Sequence, residues 1–204
     1  NGALTCSGHF NTATRSGQLD ASGSVDLLNL LPAATRAKLP RLEFESAPHY
    51  HLSLCLKDGF AIDSGSFKVS SEQLHANAIR FDHIAAAGSF SHDRITVDDI
   101  FAQRGPQWLE ARFSLERGTQ DYTLTLVGEA DPKQYNALLP RWWAAIFRDF
   151  RFTADSSTRG DFIIHGNTQQ HAAKLYWGHA ALRNVHYKEV PIDQGEVIVR
   201  GRGC

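Results

Sequence analysis

Along most of this chain apolar and polar residues alternate with a period of two, the mark of strands that bury one face. Leu42-Glu-Phe-Glu-Ser46 and Tyr50-His-Leu-Ser-Leu54 alternate cleanly. Ile95-Thr-Val97 follows, then Trp108 to Leu115, where Leu109, Ala111, Phe113 and Leu115 share a face. Tyr122, Leu124 and Leu126 lie on one side of the next run and two threonines on the other. Phe162-Ile-Ile164, Lys174-Leu-Tyr-Trp177 and Glu196-Val-Ile-Val199 complete the set. Turn signals fall between them at Lys57-Asp58-Gly59, Asp63-Ser64-Gly65, Ser91-His92-Asp93, Arg117-Gly118 and Asp193-Gln194-Gly195. Strands joined this closely predict an antiparallel meander and not βαβ units.

Two segments break the period. Around 138–150, Leu139, Trp142, Trp143, Ile146, Phe147 and Phe150 form one apolar stripe at helical spacing, with Arg141, Arg148 and Asp149 off it. Pro140 fits the first turn of such a helix. A weaker helical pattern covers about 26–38. The two segments are related. Gly23-Ser-Val-Asp26 leads into Asn29-Leu-Leu-Pro32, and Gly128-Glu-Ala-Asp131 leads into Asn136-Ala-Leu-Leu-Pro140. Phe44 and Phe152 then correspond, and Leu52 and Leu54 match Phe162 and Ile164 after a two-residue shift. A unit of about 108 residues therefore occurs nearly twice, and units of this kind stack. The expected fold is mainly β: an extended, curved antiparallel sheet, groove-like or sandwich-like, with two short amphipathic helices. The first repeat is expected over 1–121 and a second, truncated one over 122–204.

Composition narrows the function. The chain has 204 residues, of which 42% are hydrophobic and 21% charged, with a formal net charge of -1. That mixture excludes a disordered tail, and the charge balance gives no footprint for nucleic acid. No run reaches the length of about 18 apolar residues that spans a bilayer. The chain has no methionine, opens on Asn1-Gly2 and closes on a strand-like Glu196 to Cys204. Both ends are expected to be boundaries within a longer protein.

Chemistry-bearing residues form no motif. His49 and His51 sit at i and i+2 on one strand face, half of a metal site at most, and no partner stands at a recognisable spacing. Polar strand residues are the simpler reading. Asp98 and Asp99 are adjacent and face opposite ways; Glu43 and Glu45 share a face that reads as solvated. Arg200-Gly-Arg-Gly203 precedes no helix and so cradles no phosphate. The three cysteines, Cys6, Cys55 and Cys204, form no CxxC pair; a Cys6–Cys55 bridge is the one pairing considered. The expectation is a protein without catalytic residues, metal or cofactor. The Trp142-Trp143 pair reads first as the cap on one end of a β core, and second as an aromatic end meeting a membrane interface or an acyl chain.

The paired Gly-x-x-Asp and Leu-Leu-Pro elements, the Trp142-Trp143 helix, Phe150-Arg-Phe152, Asp161-Phe-Ile-Ile-His-Gly166 and Asn184-Val-His-Tyr-Lys-Glu-Val-Pro-Ile192 together resemble the repeated β-rich region of AsmA-like proteins. The resemblance covers about 150 residues and rests on pattern and texture. It implies a periplasmic region of a protein anchored in the inner membrane and related to bridge-like lipid transfer proteins. Its partners would be phospholipid or other acyl-chain lipid, neighbouring repeats of the parent chain and membrane proteins of the envelope. Its role would be to carry acyl chains along a hydrophobic β-groove between inner and outer membranes, in outer-membrane biogenesis. The resemblance brings no catalytic residues.

An acyl chain gains on the order of 0.8 kcal/mol per buried methylene, and every second residue of a strand offers that burial without any motif. The candidate lipid-facing residues are Leu52, Leu54, Leu109, Phe113, Leu115, Leu124, Leu126, Phe162 and Ile164. The rival reading is a structural scaffold or adhesion repeat in which the same residues fill a sealed core. Periodicity alone leaves both open.

Overall fold

The computed structural model describes residues 3–25, 41–58, 61–77, 79–137, 141–170 and 174–203. In chain order the strands are β1 (Ala3–Asn11), β2 (Ser16–Ser24), β3 (Leu42–Phe44), β4 (His49–Lys57), β5 (Ala61–Ala76), β6 (Ile79–Phe90) and β7 (Arg94–Arg104). They continue as β8 (Gln107–Glu116), β9 (Asp121–Glu129), β10 (Phe150–Arg151), β11 (Ser157–Asn167), β12 (Leu175–Tyr187) and β13 (Val190–Arg202). All belong to one open antiparallel sheet ordered β1-β2-β4-β5-β6-β7-β8-β9-β11-β12-β13. The expected meander is present, as a single layer and not a sandwich.

The two short strands stand off this path in the same manner. β3 pairs with the far end of β5, Leu42 opposite Ala76, on the edge that β4 occupies further along. β10 pairs with the far end of β12, Phe150 opposite Tyr187, on the edge that β11 occupies. The two short strands are thus placed alike.

The helical expectation is corrected. The described part of the helix, α1, covers Arg141–Phe147 and ends there, with a 3₁₀ turn at Pro132–Tyr135 before it; the expected start at 138–140 lies outside the described residues. Phe150 leaves the helix and pairs in β10. The stripe that continues to Phe150 is completed by a strand, since a strand and a short helix can bury the same face. The expected helix near 26–38 lies outside the described residues.

Two expected turns are also corrected. Asp63-Ser64-Gly65 lies inside β5 and Asp193-Gln194-Gly195 inside β13. The chain reverses instead at Lys188-Glu189, both with positive φ (47° and 67°), between the paired Tyr187 and Val190. That is the backbone of a two-residue type I′ hairpin, made here without the usual Asn or Gly. Strands β1, β2, β5 and β6 carry little of the alternating signal, because serine, glycine and alanine fill many of their positions.

Three buried clusters hold the structure together. One joins Ala76, Ile79, Phe81 and Ala102 to Tyr135 of the 3₁₀ turn. The second joins Ala111, Leu126 and Phe162 to Trp143 and Phe147 of α1. The third is Ala180, Leu182 and Val185, with Phe150 and Phe152 against it. Phe147 is 0% exposed, and the Trp143 ring lies 4.8 Å from that of Phe162 at a steep angle. The Trp143 indole donates to the Pro132 carbonyl at 2.7 Å, so its polar atom is satisfied where it is buried.

Candidate functional site

Strand register decides which residues share a face, because paired residues in an antiparallel sheet point the same way. One line of partners crosses eleven strands: Leu4, Gly23, Tyr50, Val69, Ala86, Ile100, Ala111, Leu126, Phe162, Gly178 and Val199. A second runs beside it through Leu52, Phe67, Gly88, Val97, Phe113, Leu124, Ile164 and Tyr176. A third passes through Leu19, Leu54, Gly65, Phe90, Ile95, Leu115 and Tyr122. A fourth holds Ile84, Ala102, Leu109, Gly128, Gly160, Ala180 and Val197. None of these positions is charged. All nine candidate residues lie on this one face: Leu54, Leu126, Phe162 and Ile164 are buried, and Leu52, Leu109, Phe113, Leu115 and Leu124 are half-buried.

The lines differ in what covers them. The fourth line and the adjoining part of the first lie under α1, the 3₁₀ turn, Phe150 and Phe152. Among the described residues, the third line, and the second from Leu52 to Phe113, belong to none of the buried clusters. Burial pushes the Tyr122 phenol above its ordinary range, and burial does the same to Tyr135 under the cover.

Aromatic rings on this face lie across glycines of the neighbouring strand. A Cβ at Gly88 would meet the ring end of Phe67 at 2.9 Å, and one at Gly65 that of Phe90 at 2.7 Å. Gly166 stands in the same relation to Tyr122, Gly178 to Phe162 and Gly201 to Tyr176.

Beneath α1 there is a cavity of about 110 Å³, lined among others by Leu109, Leu126, Tyr135, Trp143, Phe147 and Phe162. Gly128 and Gly160, paired on neighbouring strands, also line it. Thr158 reaches the same space; it is 7% exposed and its hydroxyl has no hydrogen-bond partner. Burying a hydroxyl unpaired costs about 1–3 kcal/mol.

The other face is polar through its first half. Asp20, Ser53, Ser66, Ser89, Thr96, Ser114, Thr123 and His165 succeed one another across the strands. Several are bonded across the ladder: Ser53 donates to Asp20, Ser89 and Thr96 lie 3.0 Å apart, and Thr123 and His165 2.9 Å. The last strands break this rule, with exposed Val127, Ile163, Leu175, Trp177 and Ile198.

His49 and His51 are both exposed on the polar face. Among the described residues no three His, Cys, Asp or Glu side chains converge as metal ligands. The Cys6–Cys55 pairing is corrected: both thiols are free, Cys6 shares the face of Leu52, and Cys55 points to the other side. No described helix is long and apolar enough to cross a membrane. Sequence reading missed Phe67, Val69, Ala86, Phe90, Ile100 and Tyr176 as members of the apolar face. The short Phe67-Lys-Val69 alternation was the available signal; Ala85-Ala-Ala-Gly88 hides its own, because alanine suits either side. Comparison with protein-family models, with curated proteins and with solved structures found no match for this chain.

Proposed function

We propose that this chain is a non-enzymatic lipid-binding module that seats phospholipid acyl chains on its apolar face and carries them along it. The observation that supports this reading is the apolar face itself. It continues across eleven strands without a charge, and its third line and half of its second lie outside every buried cluster. A sealed scaffold needs a second layer over those lines, and the described residues supply a cover only at one end. A half-buried apolar surface over which the described residues lay no second layer is suited to binding, and linear hydrocarbon matches a track of alternating side chains at about 0.8 kcal/mol per methylene. The resemblance to AsmA-like proteins is what supports reading such a module as periplasmic, within a longer chain anchored in the inner membrane. Neighbouring repeats would extend the track towards the outer membrane.

The test is native mass spectrometry of the purified chain, followed by solvent extraction and lipid analysis. Phospholipid is expected at a reproducible ratio. A clean ligand-free mass, together with no uptake of a fluorescent fatty acid, would overturn the proposal in favour of a scaffold.

A further inference from the structure

We infer that the cavity beneath α1 is a separate binding pocket for the neutral oxygen end of an aliphatic ligand, an alcohol or an ester, with the Thr158 hydroxyl as its hydrogen-bond partner. The inference stands on the cavity and does not require lipid on the uncovered lines of the face.

Three observations select the ligand class. First, among the described residues no side chain lining the cavity carries a charge; the polar ones are Thr158, Tyr135 and Trp143. The Trp143 indole is already committed to the Pro132 carbonyl, and Tyr135 stays a neutral phenol because burial raises its pKa. A carboxylate or phosphate here would find no charged partner in the described lining, since Arg104, the guanidinium that acts on Tyr135, stands outside it and donates to Gln134 at 2.6 Å; burial penalises such a charge heavily. Second, a plain hydrocarbon would leave the Thr158 hydroxyl as it stands, buried and unpartnered. A neutral oxygen satisfies it, and the hydroxyl can either donate to a carbonyl or accept from an alcohol. Third, the volume of about 110 Å³ is somewhat below that of an engineered apolar cavity that takes up benzene. A ligand end of a few carbons fits, and an entire lipid does not. The space persists because Gly128 and Gly160 stand side by side in the lining; a Cβ at Gly160 would come within 3.2 Å of the Phe162 ring.

The experiment titrates the intact chain with 1-hexanol, hexane and hexanoate at pH 7, followed by NMR, and repeats the series with Thr158→Val. Valine keeps the shape and removes the hydroxyl. The wild type is expected to bind 1-hexanol most tightly and hexanoate not detectably. Thr158→Val is expected to weaken 1-hexanol about tenfold while leaving hexane unchanged, as the loss of one hydrogen bond implies. Ala180→Val, which narrows the cavity, is expected to weaken both. Hexanoate binding as tightly as 1-hexanol would overturn the inference, as would equal affinity of Thr158→Val and wild type for 1-hexanol. The comparison of ligands on the wild type decides the matter even where a variant fails to fold. Loss of this binding with phospholipid co-purification intact would separate its failure from that of the lipid module.

Discussion

The covered and uncovered parts of the apolar face are built from the same kinds of residue and have different neighbours. At the covered end Leu126 and Phe162 meet Trp143 and Phe147, and the packing is that of an ordinary core. Along the third line Leu115, Ile95 and Tyr122 are half-buried, Leu54 is buried, and among the described residues none of them belongs to a cluster. Alternation creates the apolar face in both places. Among the described residues, it is the aromatic side chains of the connection after β9 that turn one part into a core.

This contrast can be broken most forcefully at the covered end. Leu126→Asp puts an unpaired charge among buried rings and is expected to cost about 4 kcal/mol or more, enough to abolish the cooperative transition in a denaturant melt. Phe147→Ala empties a site that is 0% exposed and is expected to cost about 3–5 kcal/mol. Leu115→Asp and Leu52→Asp sharpen the contrast from the other side. Each should cost only about 1 kcal/mol, preserve the circular dichroism spectrum and abolish fatty-acid uptake. Unfolding by both would mean that these lines are also covered in solution.

The smallest effect is alkaline. The Tyr135 phenol is held above its ordinary pKa by burial, so the folded state keeps its proton after the unfolded chain has lost it. The stability from the neutral phenol is complete below about pH 10 and falls away as pH rises through the higher folded value. Tyr135→Phe should flatten the loss of thermal stability above pH 10, leaving the part due to Tyr122. An unaltered alkaline slope would remove Tyr135 from the account.

Much of the sheet was legible because polar residues alternate with Leu, Ala, Phe and Tyr from Leu109 to Leu115 and from Tyr122 to Leu126. Seven of the nine candidate residues came from alternating runs, Phe162 and Ile164 from a continuous apolar one, and register places all nine on one face. The first two strands and the Ala85-Ala-Ala-Gly88 stretch were illegible for one reason: small residues tolerate either face, so their side is fixed by the partner strand. The helix was overextended because periodicity cannot distinguish a helical stripe from a short helix and a strand burying the same side. Trp177, Ile163 and Leu175 point to the polar face, which only register could reveal. The orphaned hydroxyl of Thr158 has no sequence signature at all.

The pairing of rings with glycines bears on motion as well as packing. Where a ring lies down over a glycine, the largest side chains on the face add little height. The relief of the surface is then set by methyl groups and ring faces, and not by upright aromatic posts. A hydrocarbon advancing over such a surface exchanges one set of dispersion contacts, each about 0.1–0.2 kcal/mol, for a nearly equal set. Its energy profile is shallow and its friction low, so binding can be strong overall while each step remains easy. Gly166→Ala, whose added carbon would have the Tyr122 side chain as its nearest neighbour at 2.6 Å, would tilt that ring up into a ridge on that track. It should slow the transit of a chain between two lipid pools more than it weakens equilibrium binding.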